Sequence, residues 1–108
     1  MAARSPKAAV IRLAALIPVG GEALQTPDRF SGIEAMGGKD MAAALAAELA
    51  STRGVLEFMC HPGHADAELF SASSYNDLRQ VELKTLVSGE FLAAIQAAGA
   101  ETISFREL

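Results

Sequence analysis

An apolar segment of six residues, Val55–Cys60, constrains the fold of this chain of 108 residues more than any other feature. It contains β-branched and aromatic side chains, and Glu57 is its polar residue. This composition is typical of a strand that is buried on both faces, as in a parallel sheet. Parallel strands need helical crossovers between them, so the segment predicts an α/β fold.

The segments on both sides of this strand supply the crossovers. Asp40 can cap an alanine-rich helix over residues 41–51. Ser74 begins a second helix with a capping-box-like start, and Ser88 caps a third over residues 90–98. Further elements are a helix over residues 8–17, a short strand over 29–33 and a closing strand over 102–105.

The resulting order, β, α, β, α, α, β, predicts a partial (β/α) barrel-like parallel sheet with about three strands and three to four helices. Residues 1–25 are expected to form an N-terminal helix and a Gly-Gly joint, and residues 26–108 the α/β part. So few strands cannot close a barrel, which takes about eight. The unpaired sheet edges therefore predict a homo-oligomer or a missing N-terminal half.

Composition argues against several classes of partner. The formal net charge is −4 and the cations are scattered, so no basic surface for nucleic acid or for an acidic membrane is expected. No apolar run approaches the ~20 residues that span a bilayer. Arg12 and Pro18 interrupt the apolar N-terminal stretch, which argues against a secretory signal. With a single cysteine, and so no internal disulfide, the chain is expected to be cytoplasmic.

The triplet His61-Pro62-Gly63 directly follows the buried strand. Active sites of α/β proteins lie at the carboxyl ends of their strands. Histidine transfers protons near neutral pH, proline fixes one backbone angle, and glycine lets a ligand approach closely. The triplet therefore predicts an imidazole held at a functional position, and the alternative is a histidine that only anchors its loop.

A longer pattern surrounds this triplet. The run Leu56–Gly63 is followed by Asp66, Ser74-Tyr75, Arg79, Glu82-Leu83, Leu86, Gly99 and Ile103-Ser104-Phe105. With the upstream segment Pro27–Gly32, this pattern resembles the C-terminal part of the YdjC-like carbohydrate deacetylases over about residues 26–108. The resemblance implies a barrel-like α/β fold and a metal-dependent hydrolase that removes acetyl groups from N-acetylated sugars.

The same resemblance implies a divalent metal, Mg²⁺ or Zn²⁺, held by an N-terminal aspartate pair and two histidines. Residues 1–25 contain neither aspartate nor histidine, so no metal ligand is assigned in this chain. Three functions stay open. They are the C-terminal part of the deacetylase, inactive or weak alone; a non-catalytic oligomerisation or interaction domain derived from it; and a small metal-binding module of His61, His64 and Asp66.

Amide hydrolysis needs a proton for the departing amine, and His61 is the candidate acid or, alternatively, an orienting group beside the metal. Asp66 can orient its ring or contact sugar hydroxyls. Substrate contacts are expected from Gly63, Tyr75 and Arg79, although Tyr75 can equally cap a loop.

Other polar residues near the triplet have structural interpretations. Arg79 and Glu82 lie three positions apart on the predicted helix and can form a solvated or loop-tethering ion pair. His64 completes an H-x-x-H spacing, but the intervening proline and glycine disfavour the helix that such a ligand pair needs. Cys60 is expected to be a small buried apolar residue, and Glu57 to find a structural partner or to face the site as a carboxylate.

Overall fold

The computed structural model describes residues 24–38 and 40–108. The elements in chain order are β1 (Arg29–Ser31), a 3-10 turn (Ile33–Ala35), α1 (Met41–Ser51), β2 (Leu56–Phe58), α2 (Ala67–Ala72), α3 (Leu78–Val87), α4 (Glu90–Ala97) and a last 3-10 turn (Phe105–Glu107). The helix predicted over residues 8–17 and the Gly-Gly joint lie outside the described residues. The fold is mixed α/β, as predicted.

The two strands pair in parallel, which confirms the central prediction. Arg29 lies opposite Leu56 in the register. The pairing continues past the strand end, since the Met59 amide donates to the Ser31 carbonyl at 2.8 Å. Before β2, the Asp28 carboxylate accepts a hydrogen bond of 2.7 Å from the Val55 amide. Helix α1, with its predicted bounds of 41–51, connects the strands and completes a β-α-β unit.

A glycine lets the chain turn away at the end of β1. Gly32 is buried and has a φ of +111°. A Cβ at this position would lie 2.7 Å from the Met59 amide nitrogen and closer still to its carbonyl oxygen. Both the backbone angle and the close approach of the neighbouring strand end therefore require glycine.

The prediction of a closing strand over residues 102–105 is wrong. Among the described residues the segment has no ladder partner, and it leads into the 3-10 turn at Phe105–Glu107, where Ser104 and Glu107 form a capping box. Local side-chain to backbone hydrogen bonds have replaced strand pairing there. The described residues thus form a two-stranded sheet rather than three strands, and the barrel-like arrangement stays a prediction.

The helix predicted to begin at Ser74 begins at Leu78 instead, with Asp77 as its N-cap. The preceding residues form a turn in which the Asn76 side-chain amide donates to the Ser73 carbonyl at 3.1 Å. Such bonds compete with helix formation. The sequence also gave no indication of α2, whereas α4 starts at the predicted residue with Gly89 rather than Ser88 at its N-cap.

Helix packing forms a small core in the described part of the chain. Helix α4 contacts both α1 and α3, and the Phe58 ring of β2 meets the Phe91 ring edge-on at 5.8 Å. Met41 and Leu45 of α1 are the apolar side chains buried within residues 24–38 and 40–108. None of the described helices has the length and apolar character to cross a lipid bilayer.

Candidate functional site

His61 lies just past the carboxyl end of β2, in the position that the sequence predicted. It is the second residue after Met59, whose amide makes the last hydrogen bond to β1, at the Ser31 carbonyl. The residue is half-buried, and its Nδ1 is buried with no hydrogen-bond partner among the described residues. A polar atom in that state usually has a partner that completes its hydrogen bonding.

A glutamate of helix α3 fastens the backbone at this position. Glu82 is completely buried. Its Oε1 accepts a hydrogen bond of 3.0 Å from the His61 amide, and its Oε2 accepts one from the hydroxyl of Tyr75. Both oxygens act as acceptors, which suits an ionised carboxylate. Buried carboxylates are retained only where such donors compensate for the lost water.

Tyr75 is placed by three contacts at once. Its ring meets the His61 imidazole edge-on, with centroids 5.6 Å apart and planes inclined by 70°. The Arg79 guanidinium lies over the tyrosine ring, 5.3 Å from the centroid, and Arg79 Nε donates to the Tyr75 carbonyl at 2.7 Å. This cation–π contact and the edge-on contact each restrict the ring.

The helix also holds the loop on the far side of Pro62. The Gly63 amide donates to the Arg79 carbonyl at 3.2 Å. The loop is therefore bonded to α3 at His61 and again at Gly63. We call His61, Gly63, Tyr75, Arg79 and Glu82 the His61 cluster. Four of these residues were candidate site residues from the sequence, and the structure brings them together.

Burial raises the pKa of the Tyr75 phenol well above its usual range. The hydrogen bond to Glu82 and the charge of Glu82 act in the same direction, while the Arg79 cation opposes them. The phenol therefore stays protonated at neutral pH and donates its hydrogen bond to the carboxylate. Burial also raises the pKa of the Cys60 thiol, with a further contribution from the charge of Glu82.

Asp66 and His64 lie outside this cluster. Asp66 is exposed, and its Oδ1 accepts a hydrogen bond of 2.8 Å from the Leu69 amide as the N-cap of α2. The prediction that Asp66 orients the imidazole has no contact to support it, and a catalytic role for Asp66 stays a prediction. His64 is exposed.

The predicted ion pair between Arg79 and Glu82 does not form, although both residues bond the loop after β2. Arg79 turns to Tyr75, and Glu82 is buried against Tyr75 and the loop. A signal for this burial was present in the sequence. Glu82 lies one position after Val81 and four before Leu86, both of which are partly buried, so it shares the inward side of α3 rather than its solvent face.

No group of three or more His, Cys, Asp or Glu side chains arranged to hold a metal ion occurs within residues 24–38 and 40–108. These residues therefore do not provide a metal centre of their own, and the combination of His61, His64 and Asp66 is not one.

An apolar groove of about 590 Å³ lies elsewhere in the described part of the chain. Its walls include Glu57, Phe58, Phe91, Ile103 and Phe105, and no residue of the His61 cluster lines it. We therefore assign the candidate site to the cluster of interacting polar groups and not to this groove.

Comparison with known proteins adds independent information. Residues 3–97 match the family described as YdjC-like protein. A curated relative, the "Carbohydrate deacetylase" of Clostridium beijerinckii, is 42% identical over 53 residues, which are 49% of this chain and 22% of that protein. The chain thus spans only a minor part of the length of this relative. No solved structure matches the chain significantly.

Proposed function

We propose that this chain, which belongs to the YdjC-like protein family, forms the C-terminal part of a carbohydrate N-deacetylase and has little or no activity alone. The name of the curated relative supports the reaction class. The substrate would be an N-acetylated sugar, and the reaction would hydrolyse its amide carbon–nitrogen bond. We also propose a cytoplasmic location, in keeping with the single cysteine.

The observation that carries this proposal is the state of His61. Its backbone is held by Glu82 at the carboxyl end of a parallel strand, and its ring is in edge-on contact with Tyr75. Its Nδ1 is nevertheless buried without a partner among the described residues. A loop-anchoring histidine would use its ring nitrogens for structural bonds, whereas this ring is held by other groups.

In the proposed reaction His61 donates a proton to the departing amine nitrogen. Gly63, Tyr75 and Arg79 would contact the sugar. Tyr75 would contact the sugar through its ring, since its hydroxyl is already engaged by Glu82. Asp66 would contribute through sugar hydroxyls, since its carboxylate is bonded to the Leu69 amide and not to the imidazole.

The divalent metal that the family implies, Mg²⁺ or Zn²⁺, is not accommodated by the described residues. We derive no step through it, and its ligands would come from another part of the complete enzyme.

A second candidate function is an interaction domain that forms homo-oligomers. It is favoured by the apolar groove and by exposed apolar side chains at its rim, since Ile103 is 42% and Phe105 68% exposed. Sedimentation of the purified chain would test it, because a monomer at high concentration would exclude this function.

The deacetylase is tested by acetate release from N-acetylated oligosaccharides. His61→Ala should lower the rate by about 10²- to 10⁴-fold, as expected for loss of a general acid. The exposed His64 provides the matched control, so His64→Ala should leave the rate unchanged. Because this chain is proposed to have little or no activity alone, the assay should be run on a full-length family member that carries these changes at the corresponding positions of its His-Pro-Gly motif. An undiminished rate after the His61 change would refute the acid assignment.

A further inference from the structure

Glu82 is the one fully buried polar side chain in the part of the chain that the structure describes. It neither faces solvent nor pairs with the nearby Arg79, so its burial needs another explanation. Its two oxygens connect two groups that flank the imidazole, namely the backbone amide of His61 and the hydroxyl of Tyr75. Each of these bonds is charge-assisted, which makes it stronger than a neutral one.

We propose that Glu82 is the positioning residue of His61, and that its carboxylate fixes the imidazole by holding the histidine backbone with one oxygen and the adjacent Tyr75 ring with the other. The proposal rests on the proposed function, because the orientation matters for catalysis only if His61 transfers a proton. Glu82 itself does not touch the reacting atoms.

The geometry favours Glu82 over Asp66 for this role. Asp66 is exposed and bound to the first turn of α2, whereas the carboxylate of Glu82 bonds the His61 backbone amide with one oxygen and the hydroxyl of the neighbouring Tyr75 with the other. A carboxylate is also better suited than an amide at this site, since it accepts at both oxygens while an amide offers one acceptor. In Glu82→Gln the amide oxygen can still accept from the His61 amide, and the amide nitrogen can donate to the tyrosine oxygen. This substitution therefore conserves the positions and removes the charge.

Two substitutions separate position from charge. Glu82→Leu removes both acceptors at similar volume, and Glu82→Gln restores one acceptor and a donor. In Glu82→Leu the His61 amide should exchange its hydrogen about 10- to 100-fold faster, because its charge-assisted bond is lost. In Glu82→Gln it should stay protected. The Met59 amide, two residues before His61, is the internal control for an intact sheet, because it donates to the Ser31 carbonyl at 2.8 Å.

Tyr75→Phe tests the second contact and also guards against a Glu82→Leu chain that does not fold. It keeps the ring and removes the hydroxyl that donates to Glu82. The ring-nitrogen NMR signals of His61 should shift or broaden, while those of the exposed His64 should stay unchanged. Unaltered His61 signals in Tyr75→Phe, or an unaltered exchange rate of its amide in a folded Glu82→Leu, would overturn the proposal.

Turnover distinguishes the positioning role from the proposed function. In a full-length family member, loss of the corresponding glutamate should lower kcat by about 100-fold with KM little changed, because a misplaced acid loses rate rather than affinity. The glutamine variant should recover most of that rate. If acetate is never released by the unmodified enzyme, the proposed function fails, while the exchange and NMR results still decide whether Glu82 positions His61. If kcat is unaffected by the loss, the positioning role fails and the function stands.

Discussion

Raising the pH above about 10, the ordinary pKa of tyrosine, should destabilise this fold through Tyr75. Burial, the hydrogen bond to Glu82 and the charge of Glu82 all raise the pKa of its phenol. Between the unfolded and the folded pKa, the folded chain keeps a proton that the unfolded chain has released. The contribution of Tyr75 to stability is therefore complete below about pH 10 and is lost as the pH rises towards the folded pKa.

The magnitude follows from proton linkage. In that pH range the free energy of unfolding should fall by up to about 1.4 kcal/mol per pH unit. Solvent reaches part of the phenol and screens its interactions, so this slope is an upper limit, and half of it would still be measurable against the ~5–15 kcal/mol that stabilises a typical domain. Tyr75→Phe should remove this slope. At neutral pH the same variant should lose about 1–3 kcal/mol, because a buried oxygen of Glu82 loses its donor.

The chain has one tyrosine and no tryptophan, so the near-ultraviolet absorbance of tyrosinate reports Tyr75 alone. Urea unfolding at a series of pH values, followed by circular dichroism, gives the stability of the unmodified chain and of Tyr75→Phe. The difference between them isolates the phenol from lysines and the cysteine, which titrate in the same range. Tyrosinate that forms at about pH 10 in a chain that is still folded would refute the reasoning.

Three further results are expected. Gly63→Ala should leave the free energy of unfolding nearly unchanged, since the added Cβ would lie 3.8 Å from the nearest side chain. Gly32→Ala should instead lower the free energy of unfolding by about 2 kcal/mol or more. Equal losses for the two variants in urea unfolding would contradict this. Cys60 should react slowly with iodoacetamide in the folded chain and rapidly in urea, because burial raises its pKa. Fast labelling of the Cys60 thiol in the folded chain would contradict this prediction. Asp66→Ala should lose about 1 kcal/mol with the N-cap, and Asp66→Asn should restore it; a turnover defect that persists in Asp66→Asn would indicate a catalytic carboxylate.

The local parts of the fold could be predicted from the sequence. Helix α1 begins and ends at the expected residues because alanine propensity and a following glycine act within a dozen positions, although the side chain of Asp40 at the N-cap makes no capping hydrogen bond. The parallel strand pair followed from the apolar content of Val55–Cys60. The prediction of a closing strand over residues 102–105 was wrong because strand formation also depends on distant partners. The residues alternate as in a strand, but the described sheet offers no strand to pair with, and the capping box of Ser104 and Glu107 bonds the backbone locally instead.

The sequence predicted where the candidate site lies but not the contacts that hold its residues together. The position of His61 could be predicted because active sites of α/β proteins lie at the carboxyl ends of strands, and the apolar segment before His61 identifies such a strand. The contacts that hold it join residues 21 positions apart in one case and 7 in the other. A charge on a predicted helix is usually solvated, so the spacing of Glu82 four positions before Leu86 is a weak signal, and the packing of α3 shows that Glu82 faces inward.

The motif that defines this site is therefore longer than His-Pro-Gly. If the imidazole depends on Glu82 and Tyr75, the tyrosine, arginine and glutamate at spacings of four and three on and before α3 are part of the same unit as the triplet. A chain with the triplet but without the glutamate would place a histidine at the same strand end with its backbone amide unbonded and its neighbouring ring free to turn. Such a chain should form the same β-α-β unit, but its histidine should be a poor proton donor. The rate of proton transfer depends on how rigidly the imidazole is held against the substrate, and not only on its presence at the strand end.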